Sequence, residues 1–240
     1  TQVSHPEAFI SPFSRPALSL FNAHCETVIE QFSLNNLHFR ARAVDCTIDC
    51  DGVKVTLCTG ETLSAQNIVL AIGSGDQPYW PDWAPQHTES VHHVFAPGFT
   101  GWPMHEEEVA VVGGGISAVQ IALRLAKEKH EVHLISRHAL REHLFDSEPG
   151  WLGPKFMTGF GRELDRDRRR EMITEARHRG SVPPNVRRAL IRAISKGQVH
   201  WHEDEVVAAD GVGDRVEIQL ASGGHLAPQR LLLATGFAPQ

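Results

Sequence analysis

Hydrophobic positions in the N-terminal part of the chain fall into two rhythms. Over residues 17–32, Leu18, Phe21, Cys25, Val28, Ile29 and Phe32 recur at three- and four-residue spacing, which predicts a helix. From residue 37 to 73 the period shortens to two, predicting short strands with turns at Asp51-Gly52 and Gly60-Glu61 and a final apolar run from Ile68 to Ile72. The Pro- and Trp-rich stretch from Gln77 to Pro103 predicts irregular connection. At Val109 the pattern changes again. Val109-Ala110-Val111-Val112 suits a buried parallel strand; three glycines, an amphipathic helix to about Lys129 and the strand Glu131–Ser136 follow. Together these form a βαβ unit. Residues 137–160 read as loop, 161–179 and 185–196 as helices, the second capped by Asn185 and stopped by Gly197. A strand meander and the apolar run Leu231 to Ala234 close the chain.

An internal repeat organises this pattern. Val53 to Gly73 aligns without gaps on Val216 to Gly236, with eight identities in 21 positions. The identical pairs are Val53/Val216, Leu57/Leu220, Gly60/Gly223, Leu63/Leu226, Gln66/Gln229, Leu70/Leu233, Ala71/Ala234 and Gly73/Gly236. A helix precedes each copy, then a short aromatic segment, Leu37-His38-Phe39 or Val199-His200-Trp201. The expected architecture is therefore α/β. A Rossmann-like dinucleotide-binding domain with a β-meander (104–240) follows a linker (79–103) and the C-terminal part of a second dinucleotide-type domain (1–78), which the resemblance given below makes FAD-type.

The chemistry lies in Gly113-Gly114-Gly115-Ile116-Ser117-Ala118, placed after a strand and at the start of a helix. Gly113 permits the tight turn, Gly115 lets a pyrophosphate approach the backbone, and Ala118 keeps the helix close to the strand. The helix N-terminus then offers N–H groups and a favourable dipole to phosphate. The end of the second strand selects the cofactor. An NAD-preferring fold places a carboxylate there for the ribose 2′-hydroxyl. Here Ser136, Arg137, His138 and Arg141 occupy that stretch, with no acid before Glu142. A guanidinium can bind a 2′-phosphate bidentately, which points to NADPH; a solvated Arg137 is the alternative.

Composition trims the possibilities. A net charge of −6 argues against a nucleic-acid binder, and no apolar run approaches a membrane span. Residues 161–196 carry eleven basic and five acidic side chains, but the i,i+4 pairs Asp165/Arg169 and Glu175/Arg179 make a solvated helical face the simpler reading. Trp151 and Phe156 either cover a bound cofactor or pack their own loop. The cysteines Cys25, Cys46, Cys50 and Cys58 form no Cys-x-x-Cys, and no metal-ligand spacing occurs among fifteen histidines. Reduced packing cysteines and the lack of a leader pattern make the cytoplasm the expected compartment. The sequence opens on Thr1 rather than Met, leaving processing, trimming or a fragment open.

The run from Val109 to Arg137 resembles the NADPH fingerprint of flavoproteins with two dinucleotide-binding domains. These include thioredoxin-reductase-like enzymes, flavin-containing monooxygenases and N-hydroxylating monooxygenases. In such proteins the chain crosses between domains after Ala-Thr-Gly-like strands. Asn67–Ser74 resembles the first crossing, with Ile72 in place of Thr, and Leu231–Pro239 the second. The resemblance implies cofactor roles for Gly73, Thr235 and Gly236, and an NADPH-dependent flavoprotein oxidoreductase. Ala234-Thr235-Gly236-Phe237 leans toward a monooxygenase acting on a small molecule, in a chain that could also form a homo-oligomer. The FAD fingerprint belongs upstream of residue 17 and is not in the sequence, so stoichiometric FAD is not expected. A Phe-x-Gly-x-x-x-His-x-x-x-Trp signature is absent, and His92 stands nearest to where its histidine would fall. The remaining alternatives are a non-catalytic NADP(H)-binding module and a reductase passing electrons to a protein partner.

Overall fold

The computed structural model describes residues 9–10, 15–50, 52–73, 75, 77–86 and 88–238. Asp51, Ser74 and Pro239, which belong to predicted turns and crossings, lie outside the described residues. The chain divides into two units, Thr1–Ala71 and Ile72–Gln240.

In the first unit, β1 (Phe9–Ile10) and β2 (Arg15–Pro16) pair antiparallel. Helix α1 (Leu18–Gln31) forms where the periodicity places it, yet none of its residues is buried. A 3-10 turn (Leu34–Leu37) follows, and then an antiparallel meander of β3 (Ala43–Asp49), β4 (Gly52–Leu57) and β5 (Thr62–Ala65). Val53 and Leu57 on β4 are the only buried apolar side chains of this unit among the described residues. Two expected strands, at residues 37–39 and 68–72, do not form. A strand exists only when a neighbour takes up its N–H and C=O groups, and no neighbour for either segment is among the described residues. Cys46, Cys50 and Cys58 are exposed rather than packed, and no disulfide forms.

The second unit is built on a parallel sheet of order β11-β8-β7-β15-β6. Its strands are β6 (Val91–His93), β7 (Glu108–Val112), β8 (Glu131–Ser136), β11 (His200–Glu203) and β15 (Arg230–Leu233). β6 arises inside the Pro/Trp-rich stretch expected to be linker. Parallel pairing with β15 sustains its three residues, which are too few to show a period. One face of the sheet is covered by α2 (Ile116–Lys127) and α5 (Pro184–Ser195). The other is covered by the meander β12 (Val206–Val212), β13 (Arg215–Leu220) and β14 (His225–Leu226). Side chains alternate accordingly: Val109, Val111, Val132 and Leu134 face the helices, while Ala110, Val112, Ile135 and Leu231 face the meander.

Between β8 and α5 the chain makes an excursion: β9 (Arg141–Glu142), a 3-10 turn (Pro149–Leu152), α3 (Pro154–Arg162), α4 (Arg166–Ala176) and β10 (Ser181–Val182). Pro154 and Pro184 open helices rather than break them, because the first helical turn needs no N–H from its residues. Asn185 therefore lies inside α5, and Pro183 is its N-cap. Asp165 caps α4, accepting from the N–H groups of Asp167 and Arg168, so its predicted pairing with Arg169 gives way. Arg169 instead stacks on the Phe160 ring and donates to its carbonyl oxygen, and Glu175 pairs with Arg168 rather than Arg179. Trp151 packs on Phe156 and Phe160, so the excursion packs its own aromatics.

The repeat is a structural one. Val53 and Val216, and Leu57 and Leu220, are buried at equivalent places on β4 and β13. Gly60 and Gly223 share a left-handed turn, at φ 87° and 89°. Past that point the copies diverge. Leu233 is fully buried in β15, while its counterpart Leu70 is 71% exposed, with Val69 and Ile72 exposed beside it.

Two predictions follow from this packing. Leu233→Ala should lower unfolding stability by about 2–5 kcal/mol, the usual cost of a core leucine, and Leu70→Ala by less than about 0.5 kcal/mol. Chemical denaturation measures both; equal losses would show that the 68–72 run is buried in solution. The second concerns three stacked imidazoles on the β8–β11 edge. His133 lies between His200 and His202, and its Nδ1 is 3.0 Å from the His202 Nε2. Burial holds His133 below the usual imidazole range against the pull of Glu108 and Glu131, with His200 adding to the depression. Burial, His133 and His200 do the same to His202 against Asp204. Such groups bind protons more readily when unfolded. Their stability contribution is complete above the ordinary imidazole value of about 6.5 and is lost as pH falls below it. The melting temperature should drop between about pH 7 and pH 5, and His202→Phe should flatten that dependence. A flat wild-type profile would refute it.

Candidate dinucleotide site

The site forms at the carboxyl end of the parallel strands, where ligands of open α/β sheets bind. β7 ends at Val112, and the Gly113 N–H donates to the Ile135 carbonyl at 3.0 Å, which ties the turn to β8. A Cβ on Gly113 would lie 2.6 Å from the Ala234 carbonyl oxygen and 3.0 Å from the Ala118 Cβ. Gly113 is therefore a packing requirement, and Ala118, fully buried, is its counterpart on α2. Gly115 is the N-cap of α2 and has no side chain to accept from the helix, so the first N–H groups are left without a side-chain cap. A Cβ on Gly115 would meet only the Gly180 Cα, at 3.5 Å, an ordinary contact. Ile116 is exposed and Ser117 half-buried beside it.

At the end of β8, Ser136 is buried and consumed: its hydroxyl accepts from the Trp201 Nε1 and donates to the His138 carbonyl. That leaves Ser136 shaping the strand end. The His138 ring sits beside Gly114, its Cε1 3.2 Å from where a Cβ would stand. Its Nδ1 bonds the Ala139 carbonyl oxygen, so Nδ1 carries the hydrogen. Arg137 and Arg141 are exposed and have no carboxylate partner among the described residues. The nearest acid in sequence, Glu142, is turned to Arg187 at 3.6 Å.

β6 and β15 close the same end of the sheet. His93 is fully buried at the end of β6, and the Phe95 N–H donates to its Nδ1. Nε2 therefore holds the hydrogen and donates to the Thr235 Oγ1, which in turn donates to the Tyr79 carbonyl oxygen. Burial lowers the His93 pKa, and the nearby backbone of Tyr79 and Gly236 opposes that lowering. Thr235 and Gly236 thus join the outgoing chain to the returning one, with Tyr79 N–H on the Gly236 carbonyl and Ala238 N–H on the Gln77 carbonyl. Gly73 has a left-handed backbone like its repeat partner Gly236, at φ 63° and 83°. His92 points to the helix-covered face, where it bonds the Glu89 carbonyl oxygen and approaches Arg230. The histidine at the strand's carboxyl end is His93. Burial was the missing signal: two adjacent histidines on a strand face opposite sides, and sequence alone did not say which side closes the site.

Among the described residues no group of histidines, cysteines and carboxylates can hold a metal ion. No helix among them is long and apolar enough to cross a membrane. The residues at the turn fit a dinucleotide: a glycine with no side chain between helix N-terminus and ligand, uncompensated arginines, and no facing carboxylate. Unit 1 contains no strand, glycine turn and helix in succession among its described residues, and these do not fit a flavin pyrophosphate.

A parallel sheet with a glycine turn at its carboxyl end and a meander on one face defines an FAD/NAD(P)-binding flavoprotein fold. The chain belongs to the pyridine nucleotide-disulphide oxidoreductase family, whose model matches residues 13–178. It is 30% identical over 154 residues to the L-lysine N6-monooxygenase of Escherichia coli, covering 59% of this chain and 34% of that protein. It is 28% identical over 119 residues to an uncharacterized CzcO-like oxidoreductase of Geobacillus kaustophilus, covering 49% and 33%. The chain thus spans about a third of the length of these relatives. Among solved structures, a Kutzneria ornithine N-hydroxylase with reduced FAD, NADP+ and L-ornithine superposes with a TM-score of 0.70. The match has 20% identity and covers 94% of this chain and 60% of that one. The bacillithiol disulfide reductase of Bacillus cereus gives 0.62 at 19% identity, with 97% and 60% covered. The family name includes disulphide chemistry, yet no Cys-x-x-Cys occurs in this sequence.

The two outer glycines of the turn should separate on mutation. Gly113→Ala should cost about 1–3 kcal/mol of stability through overpacking against Ala234. Gly115→Ala should leave the melting temperature of the free protein within about two degrees of wild type. Thermal unfolding by circular dichroism measures both, and equal losses would make Gly115 a packing residue as well.

Proposed function

We propose that this chain binds NADPH and supplies the nicotinamide-dinucleotide part of a flavoprotein oxidoreductase of monooxygenase type that acts on a small molecule. The observation that carries the reading is the glycine turn of β7–α2 flanked by Arg137, with no carboxylate where a 2′-hydroxyl ligand would stand. Gly115 admits the pyrophosphate to the N–H groups of α2, where the helix dipole favours its charge. Arg137 holds the 2′-phosphate, and a carboxylate in its place would repel it. His93, Thr235 and the Tyr79 carbonyl fix the crossing beside the turn and hold its backbone in register. Bound NADPH supplies a hydride, and the protein's part is to orient it and exclude water. The monooxygenase side of the reading rests on the relatives' activities and on the missing Cys-x-x-Cys.

Calorimetric titration tests the assignment. Wild type should bind NADPH at least about tenfold more tightly than NADH, and Arg137→Ala should erase that preference, a charge-assisted phosphate contact being worth about 1.5–3 kcal/mol. Equal affinities in wild type, or an unchanged preference in the variant, would overturn it.

A further inference from the structure

The helix-covered face of the sheet carries a second feature, remote from the glycine turn. Both of its helices lead into strands of one parallel sheet, α2 into β8 and α5 into β11. Their C-termini therefore lie together, at the end opposite the turn. There a groove of about 390 Å³ opens between them. Its floor is apolar: Leu123 and Ala126 from α2, Ala189 and Ala193 from α5. The three alanines let another chain approach closely. Its rim is cationic, with Lys127 on one side and Arg192 and Lys196 on the other.

The cations of α5 form a ridge. Arg188, Arg192 and the C-cap residue Lys196 follow one another at four-residue steps, a row about 12 Å long at the helical rise. All three, and Lys127, are exposed, and none has a carboxylate partner among the described residues. Like charges four apart weaken a helix, and α5 contains no acidic residue to relieve them. Helix α4 shows the alternative: Arg168 is paired with Glu171 and Glu175, and Arg170 with Asp167. The negative end of a helix dipole favours cations in the last turn, which suits Lys127, Arg192 and Lys196. It does not reach Arg188, which stands about two turns before the end of α5.

We propose that this groove is a docking site for an acidic amphipathic helix of a partner protein. The apolar floor takes small aliphatic side chains from one stripe of that helix. The ridge takes carboxylates at i, i+4 and i+8 on the stripe beside it. Charge complementarity thus selects the partner, and the alanine floor sets how closely it seats. A nucleic acid would also meet the cations, but it leaves the aliphatic floor unmatched, and a chain of net charge −6 repels it at a distance. The site stands apart from the dinucleotide reading, because it lies at the other end of the sheet.

The test selects a display library of helical peptides, randomised along one face, on the full chain, and titrates the recovered peptides by fluorescence anisotropy. Recovered sequences should be enriched in Asp and Glu at four-residue spacing, with Ala, Val or Leu on the neighbouring stripe. The double variant Arg188→Gln/Arg192→Gln should bind them at least about tenfold less tightly, with its fold intact by circular dichroism. Ala189→Gln, which raises the floor without changing charge, should weaken them as well. Binding to wild type should fall as salt rises. A recovered set with no acidic enrichment over the input library overturns the inference, as does undiminished binding by either variant. Salt-independent binding to wild type overturns it too, and that measurement needs no variant to fold. A random-sequence DNA duplex bound more tightly than any recovered peptide would make the ridge a nucleic-acid track instead.

Discussion

Everything in the second unit depends on a strand of three leucines having neighbours on all four sides. Leu231, Leu232 and Leu233 are completely buried: β7 and β6 flank them in the sheet, α2 and α5 cover one face, and the meander covers the other. Burying one such side chain contributes roughly 1.5–3 kcal/mol, and an unpaired backbone group in the same place would cost a comparable amount. The strand is thus stable only inside a completed sheet. Completion also places its successors: Ala234, Thr235 and Gly236 emerge at the carboxyl end, against Gly113 and beside His93. The first unit shows the converse. The same pattern, Ile68 to Ile72, has no sheet among the described residues, and Val69 and Leu70 stand 89% and 71% exposed. Sequence similarity carries the turns and the meander into both copies; it does not carry burial, which belongs to the surroundings.

The polar part of the site is fixed by the same geometry. His93 is itself fully buried, against the rings of Trp80 and Phe95, and there a charged imidazole is disfavoured. The Phe95 N–H pointing at its Nδ1 removes the remaining freedom, because a second hydrogen on that nitrogen would face a donor. One tautomer therefore holds Thr235, and Thr235 holds the Tyr79 carbonyl oxygen. Ser136 plays a similar part at the end of β8, fixing Trp201 below and the His138 backbone above. Neither hydroxyl is left over for a ligand as the network stands. Both set where the ligand-facing groups stand.

How much of this could be read from the chain depends on the range of the interactions involved. Local patterns were legible: α1, the turns at Gly60 and Gly223, and the β7–α2–β8 unit follow from spacing and glycine chemistry within a few residues. Elements owed to distant partners were not. β6 is three residues long, and only its pairing with β15, far along the chain, makes it a strand. The aromatic segment 37–39 matches Val199-His200-Trp201 in sequence, but the latter pairs with β8 and the former pairs with no strand among the described residues. Pro154, read as part of a loop, opens α3 because proline suits a first helical turn as well as a bend. At the site, the glycine turn and Arg137 were visible, whereas Gly180 was not. Its only sequence mark is a glycine between Arg179 and Ser181 ahead of two prolines, a turn signal that does not say what the turn touches.

A chain with a net charge of −6 can still present a cationic site, because screening makes electrostatics local. Beyond about 8–10 Å a solvated charge is largely screened, so only the groups around the turn decide what binds there. In the excursion most acids are paired with cations: Glu142 with Arg187, Asp146 with Arg177, Glu148 with Lys155, Asp167 with Arg170, and Glu171 and Glu175 with Arg168, while Glu163 and Asp165 accept from backbone N–H groups. Exposed pairs of this kind add little stability, typically under about 1 kcal/mol each. Arg137 and Arg141, which follow β8, have no carboxylate partner among the described residues. Paired charges in the excursion cancel their own fields, while Arg137 and Arg141 keep theirs; on the function proposed above, that remaining field is what a dinucleotide phosphate meets.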